Sequence, residues 1–116
     1  MSADELPIEV EEFLVWMVSE RGRSRNTIQA YRRDLRQYHA WLVPRGLTPL
    51  TVGHDDLTVF VNDAKASGRA HSSIARQTAA IRMLHRYLAT EQYRSDDPTG
   101  RLDGVRVPSG IPKPLS

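Results

Sequence analysis

Cysteine is absent from this 116-residue chain, which excludes disulfides and thiolate metal sites and makes a cytoplasmic setting the default expectation. No apolar run approaches the roughly 18 to 20 residues that a membrane-spanning helix needs, so no membrane partner is expected. The first 20 residues contain no lysine or arginine and six acids: Asp4, Glu5, Glu9, Glu11, Glu12 and Glu20. So acidic a start reads as neither a secretory signal nor a transit peptide. The four histidines, His39, His54, His71 and His85, show no HxxxH or HExxH spacing, and no metal site is expected from them. Lysine is scarce, with Lys65 and Lys113 set against 14 arginines.

What is present is a basic body. The net charge of +2 conceals that residues 21–116 hold all 16 basic residues and eight of the 14 acids. An excess of eight positive charges suits an anionic partner, most commonly nucleic acid, and equally suits a solvated basic surface. Arginine forks match phosphates and guanine edges better than lysine does, although a GC-rich coding sequence produces the same bias. With 40% apolar and 26% charged residues, the chain reads as one domain with a modest core.

The periodicity predicts four helices and no strand. The first runs from about Leu6 to Arg21, with Phe13, Leu14, Trp16, Met17 and Val18 on its apolar side and Gly22 as its stop. The second is "SRNTIQAYRRDLRQYHAWL", capped by Ser24 or Asn26. Ile28, Tyr31, Leu35, Tyr38 and Leu42 form its inward stripe, which leaves Gln29, Arg33, Arg36 and Gln37 on the far side. The third spans about His54 to Ala66, with Leu57, Phe60, Val61 and Ala64 inward. The fourth spans about Ser73 to Gln92, with Ser72 and Ser73 as caps and Ile74, Ile81, Leu84 and Leu88 inward. His39 and His85 edge the core stripes, and Met83 falls opposite Ile74, an exposed position. Arg76 also points away from the core, so its truncation should leave folding unchanged. Arg32 and Arg36 are placed to pair with Asp34 and other nearby acids. From Pro98 the composition becomes that of a linker, dividing the chain into a helical unit, 1–97, and a Pro- and Gly-rich tail, 98–116.

Taken in order, "AYRRDLRQYHAWL", "RGLT", "DDL", "SSIARQTAAIRMLHRYL", "DDPT" and the terminal "PKPLS" resemble the N-terminal core-binding domain of tyrosine site-specific recombinases, most closely the Xer-type chromosome-dimer recombinases and related phage or transposon integrases. The resemblance covers about residues 8 to 116. It implies an all-α, four-helix SAM-like orthogonal bundle forming half of a clamp around duplex DNA. The catalytic domain would begin after Ile111–Ser116, so the residues of chemistry lie beyond this chain, which on that reading is not itself an enzyme.

Further implications concern partners and sites. The family works without ATP, metal or other cofactor, and its protomers assemble as a tetramer on DNA. Its second and fourth helices enter neighbouring major grooves. The matching positions here are Thr27, Gln29, Arg32 and Arg33, then Arg69, His71, Ser72, Ser73 and Arg76. Tyr31, Tyr38, Tyr87 and Tyr93 are not expected to act as nucleophiles, because none stands in a cluster of arginine and histidine that would activate a phenol. Two other readings stay open at this point. A stand-alone helical DNA-binding regulator predicts dimerisation on a palindromic site. A SAM-like protein-interaction module predicts no salt-dependent affinity for DNA.

Overall fold

A computed structural model of the protein describes residues 5–100. It contains four helices, α1 (Ile8–Ser19), α2 (Arg25–Leu42), α3 (His54–Ala66) and α4 (His71–Thr90), with a 3₁₀ turn at Val43–Arg45. Among the described residues there is no strand, and none of the helices is long and apolar enough to cross a membrane. The tail expected to act as a linker lies outside the described residues from 101 onward, the stretch Ile111–Ser116 included. Pro98 and Thr99 are buried, and the Pro98 carbonyl lies 3.4 Å from His54 Nδ1. The packed unit therefore continues past residue 97.

Local chemistry sets the helix ends. Ser24 adopts an extended conformation, and its Oγ accepts a 3.2 Å hydrogen bond from the Thr27 amide. A cap of this kind is worth about 1 kcal/mol. The α3 N-terminus is closed differently, by the Asp56 carboxylate accepting from the Gly53 amide at 3.0 Å. After the 3₁₀ turn, Gly46 takes φ +71°, and the Leu47 and Gly46 amides donate back to Leu42 and Val43, the Schellman arrangement. The end of α4 repeats these bonds with a non-glycine residue: Gln92 has φ +65°, and the Tyr93 and Gln92 amides donate to Leu88 and Ala89.

α4 begins two residues earlier than the serines suggested. Ala70 is its N-cap residue, with no side-chain cap, so Ser72 and Ser73 are first-turn residues and not caps. Serine hydroxyls mark a helix start only when the backbone of the serine itself is extended; here Ala70 supplies the extended conformation.

One core joins the helices. Val10, Phe13, Leu14 and Met17 of α1 meet Leu35, Tyr38 and Leu42 of α2, Leu57, Phe60 and Val61 of α3, and Ile81, Leu84 and Leu88 of α4. Burying each large side chain contributes roughly 1.5–3 kcal/mol. The α1 stripe is narrower than expected. Val18 lies outside it, 52% exposed, about 40° round the helix past Leu14 at the edge of the stripe. Tyr31 and Trp16 are only half-buried against the core, and Met83, expected to be exposed, is half-buried against it too. The α2 and α4 pair is the most extensive helix contact, which places their outer faces side by side.

Candidate nucleic-acid interface

The shared outer face of α2 and α4 is polar and tied together across the two helices. Asp34, one residue before the buried Leu35, is itself 3% exposed. Both of its carboxylate oxygens accept from Arg76 on α4, Oδ2 from Nε and Oδ1 from Nη2, each at 2.8 Å. These bonds, hydrogen bonding foremost, push the Arg76 pKa above its ordinary value and fix it as a cation. The Arg76 side chain remains 45% exposed, so the pair is anchored on a buried acid and open on its cationic side.

A second arginine is held beside it. Arg69 Nη1 donates to Gln37 Oε1 and Nη2 to Gln77 Oε1, both at 2.8 Å. Gln77 in turn donates from Nε2 to the Asp34 carbonyl at 2.9 Å and to Gln37 Oε1 at 3.2 Å. Asp34, Gln37 and Gln77 thus form a neutral-to-acidic bed on which two cations from the α4 end of the molecule are laid.

Around this bed lie exposed groups. Gln29, Arg33 and Arg36 are exposed on α2, and neither arginine makes an ion pair with any described residue. His71 and Ser72 are exposed in the first turn of α4, and Ser73 is half-buried there. The amides of that turn have no partners within the helix, the usual condition of an anion-receptive helix N-terminus. Thr27 is committed to the α2 cap, where its Oγ1 also accepts from Ser24 Oγ at 2.9 Å. Arg32 turns the other way and pairs with Glu11 of α1 at 2.7 Å.

Two sequence expectations are corrected here. The acid that meets Arg32 is Glu11, not Asp34, and the cation that meets Asp34 is Arg76. Truncating Arg76 cannot leave folding untouched, because it would strand a buried carboxylate. The residues that sequence reasoning left out of the site are Asp34, Gln37 and Gln77. A signal for the first was available: an acid next to the buried stripe of a strongly basic helix implies a cation facing it from another element.

The far end of α4 is chemically different. Arg86, exposed, borders a groove of about 490 Å³ lined by Trp16, Met83, Tyr87 and Glu91 among others. Ten residues of helix separate it from Arg76, roughly 15 Å at 1.5 Å per residue. Burial raises the Tyr87 pKa, and burial pushes that of Tyr38 up much further, so neither phenol is activated toward nucleophilic chemistry.

The family model described as phage integrase, N-terminal SAM-like domain, matches residues 10–92, which include all of α2, α3 and α4. The chain belongs to that family. This integrase-type SAM-like domain is also 39% identical over 107 residues to the tyrosine recombinase XerD of Rhizobium meliloti, covering 92% of the chain and 34% of the relative. It is 42% identical over 108 residues to XerD of Haemophilus ducreyi, with 92% and 36% covered, and 37% identical over 109 residues to XerD of Listeria monocytogenes, with 92% and 37% covered. The chain spans about a third of the length of these curated relatives. The family model it matches is that of an N-terminal domain, and the other two thirds of the relatives' length have no counterpart in its 116 residues.

Proposed function

We propose that this SAM-like domain binds duplex DNA at one half of a recombination site, as the non-catalytic part of a site-specific tyrosine recombinase in the cytoplasm. The observation that carries the reading is the α2–α4 face, where Arg69 and Arg76 are fixed by hydrogen bonds beside the exposed Arg33 and Arg36. Held arginines next to free ones serve a polyanion whose backbone must be gripped and whose grooves must be entered. Family membership and the resemblance to XerD proteins support the same partner. The whole recombinase would cleave one strand through a phosphotyrosine and act with further protomers on the DNA; the residues of that chemistry are not among these 116.

Gln29, Arg33, Arg69, His71, Ser72, Ser73 and Arg76 are the proposed contacts. Thr27 contributes by fixing the start of α2, and Arg32 contributes least, since Glu11 already matches its charge. The test is a titration of labelled duplex at increasing NaCl. About six phosphate contacts give a log–log slope near −5, at roughly 0.9 per phosphate. A flat response, or no binding at roughly 50 mM salt, removes the DNA reading and favours a protein partner.

A further inference from the structure

The two held arginines are held in different ways, and the difference assigns them different work. A guanidinium has five N–H donors arranged along its edges. Asp34 occupies the side edge of Arg76, formed by Nε and Nη2. The end edge, one N–H on each Nη, carries no hydrogen bond to a described residue and belongs to a side chain that is 45% exposed. Arg69 differs: Gln37 and Gln77 occupy Nη1 and Nη2, so both of its terminal nitrogens are already engaged.

We propose that Asp34 is a positioning residue that makes Arg76 a guanine reader in the major groove of duplex DNA. This rests on the DNA-binding reading above. Two parallel N–H donors on the end of a guanidinium match the O6 and N7 acceptors of guanine. Phosphate accepts the same fork, but two features disfavour it here. The Asp34 carboxylate offsets the charge of Arg76, which weakens its pull on an anion more than its fit to a neutral base edge. Clamping also removes the freedom an arginine uses to follow a backbone oxygen, and gains a fixed donor direction in return. Arg33 and Arg36, exposed and without a described acid, suit phosphate. Arg69 keeps its full charge, because its partners are neutral amides, and suits phosphate through its remaining donors.

The experiment is selection from a randomised duplex library with the 116-residue chain and its Asp34→Asn, Arg76→Lys and Arg33→Ala variants, followed by salt titrations on unselected duplex. The unsubstituted chain is expected to enrich a motif with guanine favoured at one position on the order of tenfold over other bases. Arg76→Lys, which keeps the charge and loses the fork, flattens that position and leaves the others. Asp34→Asn flattens it as well, while affinity for unselected duplex rises and the salt slope steepens by about one, because a released cation reaches phosphate. A merely structural Asp34 would leave the guanine preference of the folded variant unchanged. Arg33→Ala weakens binding uniformly and leaves the guanine preference intact. Should Asp34→Asn fail to fold in a thermal melt, Arg76→Lys decides alone. Guanine preference that survives Arg76→Lys, or salt-dependent binding with no base preference, overturns the inference and leaves the DNA reading standing. Absence of any duplex binding by the unsubstituted chain overturns both.

Discussion

Tyr38 Oη and His85 Nε2 stand 2.8 Å apart in the interior, joining α2 to α4 between residues 47 positions apart in the chain. The two rings meet edge to face with centroids 6.0 Å apart. His85 is fully buried, and its Nδ1 has no hydrogen-bond partner among the described residues. The pair is therefore half-satisfied. Tyr38→Phe or His85→Leu alone strands one more buried polar atom and should cost about 1–3 kcal/mol each. The double variant should cost clearly less than the sum, because both polar groups leave together. Urea melts of the four proteins measure the coupling; additive costs would mean that the bond contributes nothing.

Burial lowers the His85 pKa from its ordinary 6.5 to about 4, with the nearby Arg94 cation acting in the same direction and Asp97 and Asp96 opposing it. Between those values the unfolded chain takes up a proton that the folded chain refuses. Stability from this group is complete above pH 6.5 and is lost as pH falls toward 4, by up to about 3 kcal/mol. Unfolding free energies measured from pH 7 downward should fall more steeply for the unsubstituted chain than for the Tyr38→Phe/His85→Leu double variant. Equal slopes would place the acid sensitivity elsewhere.

Gln92 closes α4 with φ +65°, a conformation that side chains other than glycine adopt at a cost. The end of the 3₁₀ turn solves the same geometry with Gly46. Gln92→Gly should therefore stabilise the domain by roughly 0.5–1 kcal/mol, the relief of strain exceeding the added chain entropy. A rise in the thermal midpoint with unchanged DNA affinity is the expected result, since Gln92 lies at the opposite end of α4 from Arg76. A fall in the midpoint would show that the Gln92 side chain packs usefully.

Three arginines separate groove contact from diffuse attraction. Arg33→Ala and Arg76→Ala should each weaken duplex binding by about 1–3 kcal/mol, and Arg86→Ala by less than about 0.5 kcal/mol. Their folding costs differ. Arg33→Ala and Arg86→Ala should be neutral, whereas Arg76→Ala should cost about 1–2 kcal/mol, between the values for exposed and buried ion pairs, because Asp34 is buried and Arg76 is not. Binding isotherms at fixed salt, paired with thermal melts, read both effects. Equal losses for Arg86→Ala and Arg76→Ala would point to charge alone.

Much of the helix pattern was legible because it depends on neighbours in the chain. Ile74, Ile81, Leu84 and Leu88 repeat with the helical period, and all four are buried. Ser24 precedes a basic amphipathic run, and it caps α2. Leu57, Phe60, Val61 and Ala64 were likewise placed inward by spacing, and α3 has the expected bounds. The start of α4 was misplaced because Ser72 and Ser73 carry cap chemistry wherever they sit, and only the backbone of Ala70 decides where the helix begins.

The face of α2 that looks outward follows from periodicity alone, since an apolar stripe on one side leaves Gln29, Arg33 and Arg36 on the other. Which charges on that face remain available does not follow from it. Asp34 stands 42 residues from Arg76, and Glu11 stands 21 from Arg32. Helical spacing orders side chains around one axis. It carries no information about the rotation of a second axis packed against the first. Only the packing of α4 on α2 turned Arg76 onto Asp34, and only the packing of α1 on α2 drew Arg32 toward Glu11, so the pairing of the arginines was settled by the tertiary fold.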